Sequence, residues 1–102
     1  MSAAPYFNVE SDTLGTLRVS GAITFTNAGR ALAHMPQAPR EGTPLAIDLS
    51  ALENSDSATL AVLIAWAAAA RARGGALRYV RAPQGLLNLS RLCGVERLLD
   101  LQ

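Results

Sequence analysis

The alternation of apolar and polar residues near the N-terminus predicts two β-strands. Tyr6–Glu10 and Thr13–Ser20 lie on either side of the polar turn Ser11–Asp12. In the second segment Leu17 and Val19 alternate with polar neighbours, which is the period of a strand with one buried face.

A change to helical spacing follows. We predict a helix over Asn27–Met35, with Thr24 and Thr26 as candidate N-caps. Four apolar residues spaced i, i+3, i+4 and i+7 form one face of this helix: Ala28, Ala31, Leu32 and Met35.

The middle of the chain predicts a central strand and a long helix. Pro44–Leu49 is a short, nearly continuous apolar run, which is typical of a strand covered on both faces. Capping residues precede a helix over about Ser57–Arg73, and Gly74 and Gly75 end it. The candidate caps are Asn54, Ser55 and Asp56.

The last third predicts one more strand and one more helix. Ala76–Val80 is the strand, Pro83 is a suitable first residue of the helix, and Gly94 ends it before a final short turn in Val95–Leu101. The apolar face of this helix comprises Leu86, Leu87, Leu89, Leu92 and Cys93. The order ββαβαβα predicts an α/β fold whose sheet carries its helices mainly on one side.

Composition narrows the function classes. The chain has 102 residues, of which 50% are hydrophobic, and a formal net charge of +1. These values predict one folded domain and exclude disorder, and the small basic excess argues against nucleic acid as a partner. The longest apolar run, Leu60–Ala70, is too short to span a bilayer, and the N-terminus has no signal-peptide pattern. We therefore expect a cytoplasmic protein that does not insert into the membrane.

Candidate catalytic and metal-binding groups are sparse. His34 is the only histidine and Cys93 the only cysteine, so neither a Ser–His–Asp triad nor a four-ligand zinc site is predicted. We expect His34 at the surface or at a helix end, and Cys93 as a small buried hydrophobe. The prediction is a protein that is not an enzyme and has no cofactor.

Asp48, Trp66 and a group of arginines are expected to have structural roles. Asp48 is expected to be a strand-end carboxylate that accepts hydrogen bonds from backbone N–H groups of the next loop. Trp66 is expected in the core. The arginines of Arg71–Arg81 can form a small basic patch, although Arg71 and Arg73 are also suited to the C-terminus of a helix.

One pair of motifs resembles a known family. Asp48-Leu49-Ser50 ends an apolar run, and Asp56-Ser57 is followed by Leu60 at the start of the long helix. This pattern resembles the STAS domain, the fold shared by sulfate-transporter C-terminal domains and anti-sigma factor antagonists, and the resemblance extends over nearly the whole chain. It implies a STAS-like mixed β-sheet with helices packed mainly on one face.

The resemblance also distinguishes two branches of the family. Antagonists carry Asp-Ser-Ser-Gly-Leu, with the second serine phosphorylated by a partner kinase, whereas this chain has Ala58 there and Thr59 in place of the glycine. The size and the Gly21–Phe25 segment are more similar to the MlaB-type subunit of the Mla phospholipid transporter. This branch implies a cytoplasmic subunit that binds the MlaF-like ATPase of an inner-membrane ABC transporter and, through it, the permease.

The resemblance and the capping chemistry together predict a partner-binding site at the start of the long helix. Its residues are Asn54, Ser55, Asp56, Ser57 and Thr59, with Leu32 and Met35 of the first helix as an apolar complement. Asp56 or Ser57 can also merely cap its own helix. Two other hypotheses remain: an antagonist in which Ser57 accepts phosphate, and a STAS domain that binds a small lipid or nucleotide.

Overall fold

The computed structural model describes residues 7–11, 16–34 and 44–99. Within these ranges the elements are β1 (Phe7–Ser11), β2 (Leu17–Gly21), α1 (Ala28–Ala33), β3 (Leu45–Leu52), α2 (Ser57–Ala72), β4 (Leu77–Val80), α3 (Gln84–Leu92) and α4 (Glu96–Leu99). The predicted order of elements is confirmed. The predicted ends at Tyr6, residues 13–15, Met35 and residues 100–101 lie outside the described residues.

The four strands form one mixed sheet in the order β1-β2-β3-β4. β1 pairs antiparallel with β2, while β2–β3 and β3–β4 are parallel. The core lies between one face of this sheet and α2, which contacts each of the other helices. The fold class is therefore as predicted, with the helices on one face.

A β-bulge makes β3 longer than the predicted strand. The pairing of β2 with β3 shifts between Arg18, which is opposite Asp48, and Ser20, which is opposite Ala51. The extra residue in β3 shifts the alternation of inward and outward side chains by one position, so that Leu52 as well as Leu49 reaches the core. The strand consequently continues past the predicted end at Leu49.

The Asp48 carboxylate stabilises this bulge, which corrects its predicted role as a strand-end residue. Its Oδ1 accepts a 2.8 Å hydrogen bond from Ser50 N–H within the same strand. Its Oδ2 lies 3.5 Å from Arg81 Nη1 and 3.9 Å from Arg18 Nε. Burial alone would raise the pKa of the Asp48 carboxyl. The hydrogen bonds from Ser50 and the charges of the two guanidiniums together lower it by more, so the pKa lies below its ordinary value.

Two aromatic side chains fasten α2 to its neighbours. Trp66, buried as predicted, donates from Nε1 to the Ala31 carbonyl of α1 at 2.9 Å. The Tyr79 hydroxyl of β4 donates to the Leu63 carbonyl at 2.7 Å, and burial raises the pKa of this phenol. Both bonds satisfy polar atoms that would otherwise be costly to bury.

The end of α3 differs from the sequence prediction. Its buried residues are Leu86 and Ser90, whereas Leu92 is 84% exposed and Cys93 is also exposed. The helix ends at Leu92, and Gly94 turns the chain with φ of 70°. Leu92 is two residues, about 200° around the helix, from the buried Ser90 and therefore faces away from the core. Cys93 is the exposed C-cap residue, and Leu99 of α4 enters the core instead.

Candidate functional site

The loop between β3 and α2 ends in a side-chain cap on α2. Asp56 is the N-cap residue, and its Oδ1 accepts a 3.0 Å hydrogen bond from Thr59 N–H. Asp56 N–H points back to Thr59 Oγ1 at 3.5 Å, so the two residues form a reciprocal capping box. Among the three candidate caps, Asp56 therefore holds the cap position, and α2 begins at Ser57 as predicted.

Thr59 also joins this loop to the one between β2 and α1. Its hydroxyl is fully buried and lies 2.7 Å from the Ile23 carbonyl, to which it can donate. Asn54 Nδ2 donates to the same carbonyl at 3.2 Å and to Asp56 Oδ2 at 2.9 Å. The side chains of Asn54 and Thr59 therefore hold the site together from within.

The β2–α1 loop has its own side-chain support. Asn27 occupies the N-cap position of α1 without a side-chain cap bond, so the prediction that Thr24 or Thr26 caps this helix is wrong. The Asn27 amide instead accepts from Thr24 N–H at 2.8 Å and donates to the Ala22 carbonyl at 2.8 Å. The buried Asn27 side chain thus shapes the turn that precedes the helix.

The first turn of α2 presents one hydroxyl to solvent. Ser57 is exposed, whereas Ala58 is 2% exposed and packs inward. Ser55 is half-buried, and a methyl group placed on Gly85 of α3 would lie 3.4 Å from its Cβ. The loop is therefore supported by α3 on one side and open at Ser57.

Two large apolar side chains are exposed in α1 and in the turn before it. Leu32 of α1 is 47% exposed, as a partner-contacting residue requires, while Met35 lies outside the described residues. Phe25, in the turn before α1, is 79% exposed. The sequence pattern did not single out Phe25, because it follows Ile23 at the two-residue spacing of a strand, which suggests that both side chains face the same way. The backbone turns there instead, so that Ile23 is in the core and Phe25 is on the surface.

The remaining candidate chemistry is limited. His34 is exposed, as predicted, and its Nδ1 lies 2.9 Å from the Arg30 carbonyl. Within residues 7–11, 16–34 and 44–99, no group of three or more His, Cys, Asp or Glu side chains could hold a metal ion. Across the same ranges, no helix has the length and hydropathy needed to cross a bilayer.

A comparison with family models identifies the family of the chain. The family model described as "Mlab, STAS domain" matches residues 8–100. The chain belongs to the STAS domain family. The two motifs that resemble the STAS pattern lie at neighbouring places in the fold. Asp48-Leu49-Ser50 is at the bulge of β3, and Asp56-Ser57 is at the start of α2.

Two solved structures are similar over nearly the whole chain. An anti-sigma factor antagonist from Mycobacterium paratuberculosis is 25% identical with a TM-score of 0.66, covering 99% of this chain and 89% of that one. A chain of the Acinetobacter MlaFEDB complex in its ATP-bound Vtrans2 conformation is 25% identical with a TM-score of 0.63, covering 98% of this chain and 100% of that one. A search of curated proteins gave no match.

Proposed function

We propose that this STAS protein is a non-enzymatic, MlaB-type subunit that binds and regulates the ATPase of an inner-membrane ABC phospholipid transporter. The transporter would maintain the lipid asymmetry of the outer membrane. The subunit would reside in the cytoplasm, peripheral to the inner membrane, and would reach the permease only through the ATPase. Neither nucleic acid nor direct membrane insertion has a part in this proposal.

The observation that carries the proposal is the residue at position 58. In the antagonist branch this position is the serine that a kinase phosphorylates. Here it is Ala58, which has no hydroxyl and is 2% exposed in the first turn of α2. A phosphate-controlled release of the partner therefore has no acceptor at that position. The similarity to a chain of the MlaFEDB complex adds support for an ATPase partner.

The surface around Ser57 is suited to close contact with another protein. Ser57 is exposed on a helix whose cap is already fixed by Asp56, so the partner meets a preformed surface. Thr59 is fully buried and bonds inward, and Asn54 does the same with its amide nitrogen. We infer that Ser55, Asp56 and Ser57 touch the partner and that Leu32 of α1 adds an apolar contact, while Asn54 and Thr59 hold the surface in shape.

The exposed Ser57 hydroxyl favours a second candidate function. The Ser57 hydroxyl is exposed in the first turn of a 16-residue helix, where unpaired N–H groups favour an added phosphate. An antagonist switched at Ser57 would use this hydroxyl, and a similar solved structure is an anti-sigma factor antagonist. Incubation with ATP and a cognate anti-sigma-type kinase, followed by mass spectrometry, tests it: addition of one phosphate to wild type but not to Ser57→Ala would favour this alternative.

Co-expression with the cognate ATPase tests the transporter proposal. We expect the two chains to co-purify as a stable complex, and the complex to show a higher ATPase yield or turnover than the ATPase alone. The chain by itself should hydrolyse neither ATP nor phosphoester or acyl substrates. Failure to associate at micromolar concentration in physiological salt would reject the transporter assignment.

A further inference from the structure

The turn before α1 displays an aromatic residue to solvent. Phe25 is 79% exposed, whereas Ile23, two residues earlier, is completely buried. A single exposed apolar residue is common on protein surfaces. What distinguishes Phe25 is the construction of the turn around it.

Side-chain and backbone bonds fix this turn. Asn27 is 5% exposed, and its amide binds Thr24 N–H on one side and the Ala22 carbonyl on the other, each at 2.8 Å. Thr26 N–H donates to Thr24 Oγ1 at 3.2 Å, and Asn27 N–H donates to the Thr24 carbonyl at 3.2 Å. The backbone that carries Phe25 is therefore ordered before any partner arrives, which reduces the entropy lost on binding.

The turn is also continuous with the Ser57 surface. The Ile23 carbonyl receives bonds from Thr59 Oγ1 and Asn54 Nδ2, both of the β3–α2 junction. Two residues of extended chain span about 7 Å, so the Phe25 Cα lies within this distance of the Ile23 Cα. Phe25 thus belongs to the same end of the molecule as the exposed Ser57.

We propose that Phe25 is the aromatic anchor of the surface that binds the ATPase, an inference that rests on the proposed function. Its ring enters an apolar pocket on the ATPase, while the hydroxyls of Thr24, Thr26 and Ser57 provide the polar rim that such an anchor normally has. The ATPase is the occupant, rather than a second copy of this chain, because the turn that carries Phe25 is joined, by hydrogen bonds to the Ile23 carbonyl, to the Ser57 surface that we propose binds the ATPase.

The experiment compares Phe25→Ala with a matched control, Leu92→Ala. Leu92 is exposed to a similar degree and lies about 10 Å along α3 from Gly85, the residue that approaches Ser55. The Kd for the purified cognate ATPase is measured by titration calorimetry. We expect Phe25→Ala to raise it at least tenfold, which corresponds to about 1.4 kcal/mol. Leu92→Ala should change it less than twofold, and the melting temperature of both variants should equal that of wild type.

The outcomes separate this inference from the proposed function. If wild type and Phe25→Ala bind the ATPase equally, the anchor role is wrong and the ATPase-binding function stands. If wild type does not bind the ATPase, both are wrong. Sedimentation of the isolated chain completes the test, because a wild-type dimer that Phe25→Ala dissociates would assign Phe25 to self-association and overturn the proposal.

Discussion

The Thr59 hydroxyl lies 2.7 Å from the Ile23 carbonyl, although the two residues are 36 positions apart in the chain. This contact joins the turn before α1 to the cap of α2, and Thr59 is fully buried between them. The two loops that form the candidate docking surface are therefore one structural unit, so changes inside it affect stability and changes on its outer side affect binding.

Removing the Thr59 hydroxyl tests the internal part of this unit. Thr59→Val keeps the branched shape but leaves the Ile23 carbonyl with one donor fewer and breaks half of the capping box. We expect a loss of about 1–3 kcal/mol in the free energy of unfolding, measured by urea denaturation. Ser57→Ala is the control, because this hydroxyl is exposed, and its effect should stay within about 0.5 kcal/mol. Equal effects of the two substitutions would contradict the assigned roles.

Acid titration tests the role of Asp48 at the bulge. Its pKa is lower in the folded protein than in the unfolded chain, so the ionised carboxylate contributes stability above the unfolded value of about 3.9. This contribution is lost as the pH falls through the folded-state pKa. Asp48→Asn should therefore be clearly less stable than wild type at neutral pH, and the difference should shrink at about pH 2. A difference in unfolding free energy that does not depend on pH would show that the charge of Asp48 is unimportant.

Alkaline titration tests the role of the buried Tyr79 phenol in stability. Burial raises its pKa in the folded state, so wild type should lose stability as the pH rises above about 10, where the unfolded chain ionises. Tyr79→Phe removes the bond to the Leu63 carbonyl and should cost about 1 kcal/mol at neutral pH. It should also show a smaller alkaline loss than wild type in thermal melts. A variant with the same alkaline slope as wild type would contradict this account of Tyr79.

The order of the elements was predictable because strands and helices leave different spacings of apolar residues. The length of β3 was not. Leu49 and Leu52 both reach the core, and this three-residue spacing fits a strand only when a bulge adds one residue. The bond from Ser50 N–H to Asp48 that stabilises the bulge leaves no periodic signal in the sequence.

The site was predictable in its position but not in the direction of each side chain. Asp56 and Ser57 lie where capping chemistry and the STAS resemblance place them. Thr59 and Phe25 are opposite to what their residue types suggest. The polar Thr59 is buried, and the aromatic Phe25 is exposed. Thr59 is buried by a contact with the Ile23 carbonyl, 36 residues away in the chain, whereas Phe25 is exposed because the nearby Asn27 amide fixes the turn that carries it.

The central claim is that the ATPase binds at the start of α2, and the most direct measurement is the Kd of Ser57→Arg for the cognate ATPase. The arginine adds bulk and charge to an exposed position and opposes the helix dipole by only about 0.3–1 kcal/mol, so the fold should survive. The control is Ala68→Arg, which adds the same side chain at an exposed position about 16 Å further along α2. We expect both variants to have the circular dichroism spectrum of wild type, Ala68→Arg to bind normally and Ser57→Arg to lose binding. A folded Ser57→Arg that binds the ATPase as tightly as wild type would contradict the claim.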